Sequence, residues 1–165
     1  MSKAPENDIL DILSEIETAF HGVPRGKITL HEADAIDCCL SDSERAKERQ
    51  KDTETQWQDV PDASIENLPF ALSFLCPESF RYYIAAYMKW TLTHFRKSHS
   101  ASINSTIYAL SSAVSDEQFL IFSREQKNAI KHFLEYMALY GEDHADSAQA
   151  EFALTYYWNY VTEKK

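Results

Sequence analysis

The residues whose types and spacing could do chemistry begin at His31-Glu32, which match the start of the zinc-protease helix H-E-x-x-H. In that motif two histidines one turn apart hold the metal and the glutamate activates water. The second histidine position is Ala35, so the motif is absent. His31, Asp34 and Cys38 still fall on one helix face and are candidate metal ligands, a mixed nitrogen, oxygen and sulfur set that zinc accepts. Asp37, beside an apolar stripe, is a candidate partly buried acid. His94, Arg96, Lys97 and His99 make the one basic cluster and are candidates for holding an anion such as phosphate or an acidic peptide. At the end of a helix the same cations complement the dipole, which is the plainer reading. Asp8, Asp11 and Glu15 line one face of the first helix and are candidates for contact with a basic partner. Tyr157 and Trp158, next to an aromatic stripe, are candidates for a protein contact, since each combines apolar area with a polar handle. No G-x-S-x-G, P-loop, dinucleotide fingerprint or Cys–His pair is present, so no catalytic residue and no cofactor is assigned.

These residues must be positioned by helices. The stretch Leu68–Phe95 is the densest apolar segment, and Cys76-Pro77-Glu78 reads as its helix start, with proline at the first helical position. Phe80, Tyr83, Ile84, Tyr87, Met88, Thr91 and Phe95 then recur at three- and four-residue steps, with Tyr82, Ala86 and Trp90 widening the stripe. The pattern predicts an all-α single domain, 1–165, of six or seven helices packed around this central helix at about 78–95. The first helix runs from a cap at Asn7 or Asp8, after a flexible stretch 1–7, and stops at Gly22-Val23-Pro24. Thr29-x-x-Glu32 and Ser123-x-x-Gln126 are capping boxes that start two more. Residues 41–56 are rich in charge and read as a solvated helical segment, either an exposed helix end or a protruding, mobile arm. A last helix places Ala148, Phe152, Tyr156 and Tyr160 on its core face.

Charge and composition exclude several function classes. Sixteen basic against 26 acidic residues leave a formal charge of −10, which disfavours nucleic acid and anionic membrane as partners. Residues 1–60 carry 14 acids and 7 bases against 12 and 9 in 61–165, so a basic protein would be steered to the first part of the chain. The odd, unspaced Cys38, Cys39 and Cys76 argue against a disulfide framework and fit a reducing cytoplasm, as does an amino terminus that turns acidic before any apolar run. The favoured expectation is a small acidic cytoplasmic protein-binding module, by analogy one acting in immunity or defence. The alternatives are a metal-binding or hydrolytic helical enzyme using His31, Asp34 and Asp37 or the basic cluster, and a homodimer built through the terminal aromatics.

The order of several pieces resembles an uncharacterised bacterial family, a domain of unknown function. These are Ala19-Phe20-His21-Gly22-Val23, then Thr29-Leu30-His31-Glu32-Ala33 with Ala35-Ile36-Asp37, and Leu72-Ser73-Phe74-Leu75 running into Pro77-Glu78-Ser79-Phe80-Arg81. Ser123, Gln126 and Phe133-Leu134-Glu135 complete the pattern, over roughly residues 9 to 137. Cys76 stands where this pattern would place an acidic cap. The resemblance implies a compact protein and carries no activity with it.

Overall fold

A computed structural model describes residues 5–111 and 116–163. The elements are α1 (Pro5–Ala19), α2 (Leu30–Asp37), α3 (Asp42–Arg49), α4 (Asp62–Asn67), α5 (Pro77–His94), α6 (Ser102–Ser111), α7 (Asp116–Leu120), α8 (Arg124–Tyr140) and α9 (Ser147–Ala153), which continues through a wide turn (Leu154–Trp158) into α10 (Asn159–Glu163). Short 3-10 turns cover Trp57–Asp59 and Ala71–Phe74. Every regular element among the described residues is helical, as the periodicity predicts. The additional helices are short pieces, α4 and α7 among them, in stretches too brief for periodicity to resolve.

The central helix is α5. Proline at its first position and Cys76 in extended geometry before it set the start. Phe80, Tyr82, Tyr83, Ile84, Tyr87, Met88, Trp90 and Leu92 are all buried, so the helix is covered on most of its circumference. Its neighbours include α1, α4, α6 and α7, and the buried residues of all of them join one core. Several polar atoms carried into that core are paired, although the buried Tyr82 hydroxyl on α5 has no hydrogen-bond partner among the described residues. The Tyr87 hydroxyl donates to the Leu68 carbonyl at 2.6 Å, Thr91 to Thr106 at 3.1 Å, and the Trp57 indole to the Phe20 carbonyl at 3.0 Å. Each would cost on the order of 1–3 kcal/mol if left unpaired.

The two capping boxes form as the sequence dictates, at Thr29 with Glu32 and at Ser123 with Gln126. A third, at Ser41 with Glu44, starts α3. The charged stretch 41–56 is not a protruding arm. Its helix ends at Arg49, Asp52 is buried, and an ion pair and two hydrogen bonds tie it down: Arg49 meets Glu32 at 2.7 Å, and Arg25 donates to the backbone carbonyls of Asp52 and Glu54 at 2.7 and 2.9 Å. The first helix starts at Pro5, ahead of the expected cap; of the stretch 1–7, residues 1–4 lie outside the described residues.

The last helix inverts the expectation. Phe152, Tyr156 and Tyr160 are exposed, at 44%, 69% and 63%, while Ala150, Ala153, Leu154 and Trp158 are buried. A π turn covers Leu154–Trp158, but the inversion begins before it. The expected stripe is already outside at Ala148 and Phe152, ahead of that turn, and the buried face runs instead through the smaller Ala150, Ala153 and Leu154 to Trp158 at three- and four-residue steps.

Candidate functional site

The seam between α1 and α8 collects the acidic residues of the first helix. The two helices run antiparallel, since Gln126 at the start of α8 donates to the Ala19 carbonyl at the end of α1 at 3.1 Å, while His132 further on meets Glu15 at 2.7 Å. A groove opens along them as two clefts. One, of about 600 Å³, is lined by Asp11, Ser14, Glu15, Thr18, Ser123, Glu125 and Asn128. The other, of about 290 Å³, is lined by Asp8, Asp11, Ile12, Glu15, His132, Glu135, Tyr136 and Leu139. Asp11 and Glu15 belong to both, so the clefts are continuous over roughly 17 Å, the rise of the eleven helical steps from Asp8 to Ala19. Carboxylates stand on both walls, from Asp8, Asp11 and Glu15 on one side and Glu125 and Glu135 on the other. The floor is apolar at Ile12 and Tyr136, and Leu139 is 72% exposed at the rim. Lys131 reaches Glu135 at 3.9 Å and His132 reaches Glu15, which leaves an excess of negative charge.

The α1 wall is thus where the sequence puts it: Asp8, Asp11 and Glu15 share a face and line one groove. The α8 wall was missed. Its signal is the polar row Glu125, Asn128, His132, Glu135 at three- and four-residue steps, on the side opposite Ile130, Phe133 and Met137.

His31 has a different setting from that expected. Its ring Nδ1 lies 2.6 Å from one oxygen of Asp52, and its backbone N–H donates to the other at 2.9 Å. Asp52 therefore caps the first turn of α2 and orients the imidazole. The hydrogen bond that the His31 ring donates to Asp52 raises the His31 pKa above its ordinary value. Burial pushes the Asp52 carboxyl up, but the hydrogen bonds to His31 outweigh it and hold the group below the usual carboxylate range. Below Asp52, the Tyr83 hydroxyl donates to Glu54 at 2.9 Å, which anchors the same loop to α5. His31, Asp34 and Cys38 do not assemble into a metal site, and no cluster of three or more such ligands that could hold a metal ion occurs among the described residues. His31 is turned toward Asp52, whereas Cys38 lies beyond the end of α2 and is exposed. Asp37 is exposed, so it is not the partly buried acid expected.

The basic cluster does not converge. His94 stacks on Trp90 with ring centroids 5.0 Å apart and points Nε2 to Asp62 at 3.6 Å. Arg96 lies over the Phe95 ring and donates to the Tyr136 hydroxyl at 3.3 Å. Lys97 is exposed. His99 borders an open cleft of about 620 Å³ whose other lining includes Glu142, Asp143 and Asp146, so an anion there would face carboxylates. His144 lines the same cleft and packs against Phe95. Of the terminal aromatics, Trp158 is fully buried and donates its indole N–H to the Leu110 carbonyl at 2.7 Å, so it offers no surface to a partner. Tyr157 is half-buried against Phe119. The aromatic surface that remains open is Phe152, Tyr156 and Tyr160.

Fold and site together define an all-α protein with one core and an acidic groove between its first and eighth helices. The chain belongs to the Family of unknown function (DUF6714), whose model matches residues 8–162. No curated protein and no solved structure matches it. The family's function is unknown, so function must be read from the site. No helix among the described residues is long and apolar enough to cross a membrane.

Proposed function

We propose that this chain is a cytoplasmic protein-binding module whose acidic α1/α8 groove receives a basic segment of a partner protein. The observation that carries the reading is the groove's lining: five carboxylates, from Asp8, Asp11, Glu15, Glu125 and Glu135, on two helices over one apolar floor. Lysine or arginine side chains suit it because their apolar stems can cover the floor while their charged ends meet the rim. The chain's charge of −10 would steer such a partner from a distance and make the encounter salt-dependent.

The test is an affinity capture at low and moderate salt with two baits, the natural chain and Asp8→Asn/Asp11→Asn/Glu15→Gln. Neutralising three rim charges should lower the association rate on the order of tenfold or more at low salt and much less at moderate salt. A partner held equally by both baits would place its contact elsewhere. A second reading, a homodimer, is favoured by the exposed row Phe152, Tyr156 and Tyr160. Sedimentation of the natural chain and of Tyr156→Ser distinguishes it: a two-chain mass lost in the variant supports a dimer through that row.

A further inference from the structure

The carboxyl end of α2 breaks several local rules in one place. Its last turn carries Asp34 and Asp37 and no cation, although the helix dipole is negative there. The chain leaves the helix through Cys39 at φ 55, the one non-glycine residue at positive φ among the described residues. Leu40 N–H bonds the Ala35 carbonyl and Cys39 N–H bonds the Ile36 carbonyl, each at 3.0 Å, which are the two bonds of a Schellman cap. Glycine ordinarily fills that left-handed position because a Cβ is crowded there. The thiols of Cys38 and Cys39 are both free and exposed, whereas unpaired cysteine is among the most buried residue types. The cap requires the left-handed turn but not a cysteine in it, and two exposed thiols add no packing, so their placement points to a use.

The broken rules share one chemistry. Two sulfur ligands on either side of a single peptide unit can close on one centre, and soft centres select thiolates. The carboxylates and the helix end make the place electronegative, which favours an electrophilic centre and opposes anions. We propose that Cys38 and Cys39 form a dithiol site for a soft thiophilic centre that takes two sulfurs at a bent angle, of the class of trivalent arsenic. With an organoarsenic(III) oxide, the two S–H protons leave with the oxo oxygen as water. Two As–S bonds replace the As=O bond, and arsenic stays trivalent. Cys76 is apart from this site, partly buried, with its sulfur 3.2 Å from the Ser79 hydroxyl.

The experiment uses phenylarsine oxide as the probe, the full chain, and intact-mass spectrometry in excess glutathione. The expected result is one adduct per chain, formed with loss of water and retained against the monothiol. It should persist in Cys76→Ser and vanish in Cys38→Ser and in Cys39→Gly. The glycine suits the left-handed backbone, so Cys39→Gly should also melt at a higher temperature, which separates lost binding from lost folding. An adduct that survives in either Cys38→Ser or Cys39→Gly would overturn the proposal, as would glutathione stripping it from the natural chain.

Discussion

Changing Asp52 tests how the charged segment is held. Its carboxylate is buried and accepts two hydrogen bonds from His31, one from the ring at 2.6 Å and one from the backbone at 2.9 Å. A hydrogen bond to a charged group contributes about 1.5–3 kcal/mol, and the 21% exposure of the His31 side chain allows water to recover part of that. Asp52→Ala should therefore cost about 3 kcal/mol near pH 5.5, and Asp52→Asn, which keeps an acceptor but no charge, about half as much. The pH dependence follows from the shifts. His31 is raised above its ordinary 6.5, so its contribution is fully present below about that pH and is lost as pH rises through the folded pKa. Asp52 is depressed below its ordinary 3.8, so its contribution is present above that value and is lost as pH falls through the folded pKa. The pair thus stabilises most between those limits. Urea unfolding followed by the fluorescence of the buried Trp57, Trp90 and Trp158 reads this at pH 5.5 and 8.5. The natural chain should lose more stability than Asp52→Asn over that interval, a difference that cancels the other histidines. Equal pH dependence in both, or a cost under about 0.5 kcal/mol for Asp52→Ala, would refute the anchoring role.

Other outcomes test the packing. Trp158→Ala should cost about 3–5 kcal/mol by thermal or urea unfolding, because the indole is fully buried and paired to Leu110, while Tyr156→Ala on the exposed side should stay within about 0.5 kcal/mol. Gly26→Ala should destabilise by about 2 kcal/mol or more in the same assay. The residue sits at φ 81, and a Cβ there would come within 2.6 Å of the Ser79 backbone nitrogen. Tyr87→Phe should cost about 1–2 kcal/mol, since it leaves the buried Leu68 carbonyl without its 2.6 Å donor.

What the sequence discloses depends on the range of the interaction. The helix at Pro77–His94 and the capping boxes at Thr29 and Ser123 rest on residues within a few positions of one another, so spacing alone reveals them. The box at Ser41 had the same S-x-x-E signal, hidden in a segment whose charge suggested a free arm. That segment's anchor joins Asp52 to a histidine 21 residues away, and no local pattern reports such a pair. The terminal helix misled because its large aromatics Phe152, Tyr156 and Tyr160 share one face and suggested a core stripe, whereas the small Ala150 and Ala153 mark the face that packs closely and carries Trp158 inward. In the groove, Asp8, Asp11 and Glu15 were legible as a face, but the partner wall needed the antiparallel docking of α8.

The most direct measurement of the binding reading is zero-length carbodiimide coupling of carboxylates on this chain to lysines of the captured partner, with the joined residues mapped by mass spectrometry. The groove predicts links concentrated at Asp8, Asp11, Glu15, Glu125 and Glu135, fading as salt rises. Links that instead gather on Asp42, Glu44 and Glu142, or that scatter evenly over the exposed acids, would contradict it.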